Sequence, residues 1–183
     1  MNNTFPVLIV SGGQTGANRA ALDFAKAHGI SHAGFCPKGR KAEDGRIPDD
    51  YNLDETPSAA YPERTKLNVE MADATVIFDP PGHSSHGSAL SARHAKKIGK
   101  PCAVLPHFPD LQADGAVLGA FLEQHGPHVL NVAGSRESAQ PGMHAYVEIA
   151  LMAAALKMEP ADPSVAVPAI NPSPPHAPGI GAE

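Results

Sequence analysis

The stretch Phe5-Pro6-Val7-Leu8-Ile9-Val10-Ser11-Gly12-Gly13-Gln14-Thr15-Gly16 decides the fold. An apolar run without polar alternation marks a strand covered on both faces. It ends in a glycine loop, and a helical pattern follows at once. Ala21, Leu22, Ala25 and Ala27 recur at helix spacing across Ala17 to His28, and Gly29 is a natural stop. The same rhythm continues outward. His32 to Cys36 reads as a second strand, followed by a long loop ending near Pro57. Tyr61 to Ala72 reads as a helix, Thr75 to Phe78 as a strand and Ser88 to Ile98 as a helix. Pro101 to Leu105 and Val129 to Val132 read as strands, Val117 to Gln124 and Met143 to Lys157 as helices. Strands alternating with helices predict an α/β fold: a Rossmann-like, doubly wound, mainly parallel sheet of about five strands with helices on both faces. The expected strand order is 2-1-3-4-5. Ligands of such sheets bind outside the carboxyl ends of the strands, where the order reverses.

Composition bounds the rest. The chain has 183 residues, 42% hydrophobic, with 5% aromatic and no Trp. Small aliphatic residues must therefore fill the core. Gly and Pro number 17 and 19, above the usual share. Much of that excess falls in residues 159–183, which hold seven prolines and no Lys or Arg. Such a segment cannot form a helix and has little to bury, so a disordered Pro/Ala-rich tail is expected there, after a ligand-binding domain over 1–158. The formal charge of −5 argues against a general nucleic-acid binder. No apolar run is long enough to span a membrane. The polar start, Met1 to Phe5, and two separated cysteines, Cys36 and Cys102, lead us to expect a reducing cytoplasm.

Four loops at the carboxyl edge carry the chemistry. In Ser11-Gly12-Gly13-Gln14-Thr15-Gly16, glycines allow backbone N–H groups to approach an oxyanion, and the helix N-terminus adds donors. Arg19, one turn on, adds a cation. A tight strand-to-helix turn without a ligand has the same composition. The loop Pro37 to Arg46 packs four cations, with Lys38 and Arg40 the candidate phosphate clamps. Glu43 and Asp44 partly neutralise it, as in an ordinary solvated loop. Asp79 to Ser88 places Gly87 and Ser88 at a helix start; its His83 and His86 lack a third ligand nearby, so no metal is expected. Asn131 to Ser138 offers Arg136 as an anion contact. Arg64-Thr65 and Asn68 read most simply as helix capping and solvation. The final helix, apolar almost all round, is either a subunit interface or a buried core helix.

Several of these strings together resemble the "putative molybdenum carrier" family. They are Ser11 to Gly16 with Arg19-Ala20-Ala21-Leu22-Asp23; Cys36 to Arg40 with Ala42 to Gly45; Glu55-Thr56-Pro57-Ser58; Arg64-Thr65 with Asn68-Val69; Asp73-Ala74-Thr75; and Asn131 to Gly134 with Arg136-Glu137-Ser138. The resemblance spans about residues 5 to 150. It implies a branch of the Rossmann-like nucleotide-binding superfamily that includes the lonely-guy phosphoribohydrolases. It implies homo-oligomers, dimers or tetramers, and a carried ligand, the molybdenum cofactor: a pterin dithiolene (molybdopterin) with a terminal phosphate. Two departures stand out. Ala17-Asn18 replaces the family's Val-Asp, and His86-Gly87-Ser88 replaces Gly-Gly-Thr.

The phosphoribohydrolases carry a glutamate two residues after the threonine of the related loop, and Leu90 stands there in this chain. That disfavours N-glycosidic cleavage. The sequence therefore predicts a reversible, non-catalytic binder of a small anionic phosphorylated ligand, with no nucleic acid or membrane partner. The expected contacts are Ser11, Gly12, Gly13, Gln14, Thr15, Gly16, Arg19, Lys38, Arg40, Gly87, Ser88 and Arg136. The alternative is a nucleotide or phosphoribosyl-compound binding protein of the same superfamily, acting as sensor or hydrolase.

Overall fold

Five parallel strands form the central sheet. The computed structural model describes residues 4–80, 85–105 and 111–160, the side chains of 111 and 112 excepted. The main-sheet strands are β1 (Leu8–Val10), β2 (Ser31–Ala33), β7 (Ala74–Phe78), β8 (Cys102–Leu105) and β9 (Val129–Gly134). Two small ladders lie beside them: β3 (Phe35–Cys36) with β6 (Asp54–Glu55), and β4 (Lys41–Ala42) with β5 (Gly45–Arg46). The helices are α1 (Ala17–Ala27), α2 (Tyr61–Met71), α3 (His86–Lys97), α4 (Leu111–His125) and α5 (Met143–Ala155). Helices α1, α4 and α5 pack together in one layer, and α2 packs on α3 in the other. The α/β, doubly wound, parallel architecture is the one the strand–helix alternation predicts.

The strand order differs from the expectation. It runs β2-β1-β9-β7-β8, so the last main-sheet strand inserts between the first and the third. Burial explains this. Val129, Leu130 and Val132 are buried, and an edge position would leave them facing water. Val10 pairs with Asn131 on one side of β9, and Thr75 pairs with Asn131 on the other. The Asn131 side chain then donates to Thr75 Oγ1 at 3.2 Å. Placing β9 centrally brings its carboxyl-end loop between the glycine loop after β1 and the start of α3.

The second predicted strand is broken. Gly34 takes φ +145°, and a Cβ there would lie 2.1 Å from the Ser11 carbonyl oxygen. The chain leaves the main sheet at this crossing, and Phe35–Cys36 pairs instead with Asp54–Glu55. Helix α4 begins earlier than the expected Val117, at Leu111.

The main core joins Phe24 of α1, Phe78 and Leu130 of the sheet, Leu118 and Leu122 of α4, and Met143, Val147 and Leu151 of α5. Helix α5 thus buries one full face, while Ile149 on the same helix and Leu156 just past its end remain exposed. The backbone of Phe5 donates to the Glu159 carbonyl at 3.0 Å. Ordered pairing therefore reaches Glu159, one residue into the segment expected as tail; residues 161–183 lie outside the described residues. None of the helices among the described residues is long and apolar enough to cross a membrane.

Candidate ligand-binding site

At the carboxyl edge a cavity of about 560 Å³ opens between α2, the start of α3 and the loop after β9. Its volume falls within the usual range for small-molecule sites. Tyr61, Arg64 and Thr65 of α2 line it, with Ser85, His86, Gly87, Ser88, Leu90 and Ser91 around the start of α3. Gln14 and Asn18 contribute from the glycine loop and α1, and Ala133, Gly134, Arg136 and Ser138 from β9 and its loop. No Asp or Glu stands among these lining residues.

The loop after β9 is tied to the start of α3 at the rim. Asp79, 3% exposed just past β7, accepts from Ser135 Oγ at 2.7 Å and from the Ser85 backbone at 3.3 Å. Ser85 in turn caps α3, its Oγ accepting from the Ser88 backbone at 3.0 Å. One buried carboxylate therefore fixes the β9 loop relative to an α-helix N-terminus. The first N–H groups of a helix lack intrahelical acceptors and present the positive end of its dipole. Gly87 adds no side chain to this end, and a Cβ there would find open space apart from Ser85 Oγ at 3.8 Å.

Two arginines face this edge. The Arg64 guanidinium carbon lies 5.8 Å from the Tyr61 ring centroid, and that of Arg136 5.2 Å from the same ring. Neither forms an ion pair with a carboxylate among the described residues. Arg64 as a whole is half-buried, but its Nε is closed off from solvent with no hydrogen-bond partner. Burial, with the nearby charge of Arg136, pushes the Arg64 guanidinium down to about 10. A desolvated cation in this condition costs stability until an anion arrives. The arrangement is suited to a planar, bidentate grip on a phosphate or carboxylate.

The structure brings Gln14, Gly87, Ser88 and Arg136 of the expected contacts to the cavity, and it places the others elsewhere. Ser11 is buried; its Oγ donates to the Val132 carbonyl at 2.7 Å and accepts from Asn18 at 3.0 Å. Asn18 thus ties the loop to β9. Gly13 packs under Leu53 and Ile47, and Gly16 against the backbone of Ser135 to Glu137. The Thr15 backbone donates to Gln14 Oε1 at 3.0 Å, and Thr15 Oγ1 donates to Glu43. The α1 start is therefore closed by the chain itself, and the anion there is the Glu43 carboxylate, which also accepts from Ser138. Partial burial works against ionisation of Glu43. Hydrogen bonds from Ser138 and Thr15, with the Arg136 charge, outweigh it and hold its carboxyl below the ordinary value.

The predicted cationic clamp takes another form. Arg19 donates to the Gly13 carbonyl at 2.9 Å and pairs with Asp44 at 3.2 Å. Lys38 is exposed, its backbone donating to the Ser58 carbonyl. Arg40 is 6% exposed and donates to four carbonyls, those of Ile47, Leu53, Pro48 and Tyr51, at 2.7–3.0 Å. Its Nε also lies 3.5 Å from the Asp49 carboxylate. This guanidinium is the internal brace of the loop between β3 and β6, committed to the chain rather than to a ligand. His83 lies outside the described residues.

Among the cavity-lining residues that sequence reasoning did not select, Arg64 and Tyr61 stand out. A signal existed. Tyr61, Arg64, Thr65 and Asn68 are polar at helix spacing, and Thr65 and Asn68 are buried. A polar stripe facing inward on a helix marks either a network or a site. Asn68 serves the network, donating to the Phe35 carbonyl and accepting from the Phe35 backbone.

A comparison with curated proteins returned no match. Among solved structures, the chain is similar to a protein of Syntrophus aciditrophicus SB named "Putative molybdenum carrier protein". The identity is 38%, the TM-score 0.76, and the alignment covers 82% of this chain and 95% of that one. Residues 9–155 match the profile described as the "Circularly permutated YpsA SLOG family". With most of the chain inside that match, and the site's loops within it, the protein belongs to the circularly permuted YpsA family of Rossmann-like SLOG proteins.

Proposed function

We propose that the protein is a molybdenum cofactor carrier: it binds a phosphorylated pterin reversibly in the cleft between α2, α3 and the β9 loop. The observation that carries this reading is Arg64, a cation with a buried and unpartnered Nε–H, beside Arg136 on a cavity with no carboxylate among its described lining residues. The terminal phosphate would lie between these two guanidiniums and the α3 start at Gly87 and Ser88. The pterin would take the remaining volume, with Leu90, Ala133 and Ala139 against its ring and the amides of Gln14 and Asn18 in reach of its polar edge. Molybdenum would travel on the ligand's dithiolene rather than on protein side chains. The Syntrophus neighbour, named for molybdenum carriage, supports the same ligand class.

The lining also favours carriage over turnover. A phosphoribohydrolase needs a carboxylate to stabilise positive charge developing on the ribosyl carbon. Leu90 occupies the corresponding place and lines the cavity. A nucleotide or phosphoribosyl ligand would use the same phosphate grip, so the ligand panel must include it. Thermal denaturation with molybdopterin, molybdate, AMP and ribose 5-phosphate separates the cases. We expect stabilisation by molybdopterin, of roughly 3–4 kcal/mol at a few hundred times Kd. Stabilisation by AMP and ribose 5-phosphate with none by molybdopterin would replace the carrier reading with the nucleotide one.

A further inference from the structure

Gly12 belongs to the loop after β1, yet it does not line the cavity. Its conformation does not require glycine: Gly13 and Gly16 take φ of +70° and +71°, whereas Gly12 is not among the positive-φ residues. Its requirement is spatial. A Cβ on Gly12 would fall 2.1 Å from Arg64 Nη1, 2.7 Å from Cζ and 3.1 Å from Cδ. All three nearest atoms belong to one side chain. The neighbours of Gly16 are backbone atoms of Ser135, Arg136 and Glu137 at 2.5–2.8 Å, which cannot step aside. At Gly12 the obstacle is a flexible side chain, so an alanine would be accommodated by expelling the Arg64 head from its place.

We infer that Gly12 is a positioning residue that acts through Arg64: its bare backbone is the seat that holds the guanidinium at the cavity wall. This rests on the reading that Arg64 grips the ligand's phosphate. The glycine loop then contributes to anion binding indirectly. It admits an arginine from α2, and the arginine meets the anion.

A double-mutant cycle with Gly12→Ala, Arg64→Ala and the combined variant tests this, using molybdopterin as the probe in calorimetric titration and Tm of the free protein as the second readout. Arg64→Ala is expected to weaken binding about ten- to hundredfold. Gly12→Ala should produce most of that loss in the Arg64 background, and shift the free protein's Tm there. In the Arg64→Ala background it should change affinity by less than about twofold and leave Tm unchanged, because contacting residues couple and independent ones add. A Gly12→Ala effect of equal size in both backgrounds, or none in the wild-type background, overturns the inference while leaving the cleft reading intact. Unchanged affinity in Arg64→Ala overturns the cleft reading and the inference with it.

Discussion

Arg40 and Arg64 both hold guanidinium nitrogens away from water, and they are opposite in meaning. The Arg40 guanidinium donates to the carbonyls of Ile47, Leu53, Pro48 and Tyr51. The backbone between β3 and β6 wraps around it, and Ile47, Tyr51 and Leu53 bury themselves with Leu22 and Cys36 in a small core of their own. The Arg64 guanidinium has an Nε with no partner and lies beside a second cation. A buried charge whose donors are met by carbonyls is scaffold. A buried charge with a donor left over is what an arriving anion would satisfy in the proposed function.

Removing Arg40 should have the largest effect. Arg40→Ala would strand four carbonyls and is expected to destabilise the protein by about 3–5 kcal/mol in urea denaturation. Arg40→Lys should recover little of this, since one ammonium cannot reproduce a planar fork. Arg64→Ala should do the reverse: free-protein Tm unchanged or raised, ligand affinity down about ten- to hundredfold. Similar losses of stability in Arg40→Ala and Arg64→Ala would break the comparison. Arg136 is exposed, and a contact with an anionic ligand there would be partly screened, so Arg136→Ala should cost only about two- to fivefold in affinity.

The smallest effect concerns Glu43, the internal anion at the α1 start. Its folded-state carboxyl lies below the ordinary 4.5. A depressed carboxylate contributes stability that is present above the unfolded value and lost as pH falls through the folded one. Wild-type Tm should therefore drop more steeply than that of Glu43→Gln on acidification below pH 4.5, and the two curves should run parallel near neutrality. Equal slopes would mean that the bonds from Thr15 and Ser138 do not depend on the charge.

The same contrast explains what was legible in the sequence. The mainly apolar runs at Leu8–Val10, Ala74–Phe78 and Val129–Gly134, interrupted only by Thr75 and Asn131, announce buried parallel strands, because apolarity without strict alternation needs two covered faces. The order of those strands does not follow from the runs. It depends on which strand the core encloses most fully, and that is a property of the assembled layers. At the edge, Gln14, Gly87, Ser88 and Arg136 could be selected because glycine loops and cations after strands have a recognisable chemistry. The opposite roles of Arg40 and Arg64 could not. Whether a guanidinium finds carbonyls depends on a loop closing around it, and whether Gly12 leaves room for Arg64 depends on two segments distant in the chain meeting at the sheet edge.

The most direct measurement is calorimetric titration of molybdopterin into the wild-type protein and the Arg64→Ala variant, with AMP titrated alongside. The account predicts saturable molybdopterin binding to the wild type, weakened at least about tenfold in the variant at undiminished Tm. Equal molybdopterin affinity in the two proteins would contradict it, because the ligand's anion would then lie somewhere other than against the unpartnered guanidinium.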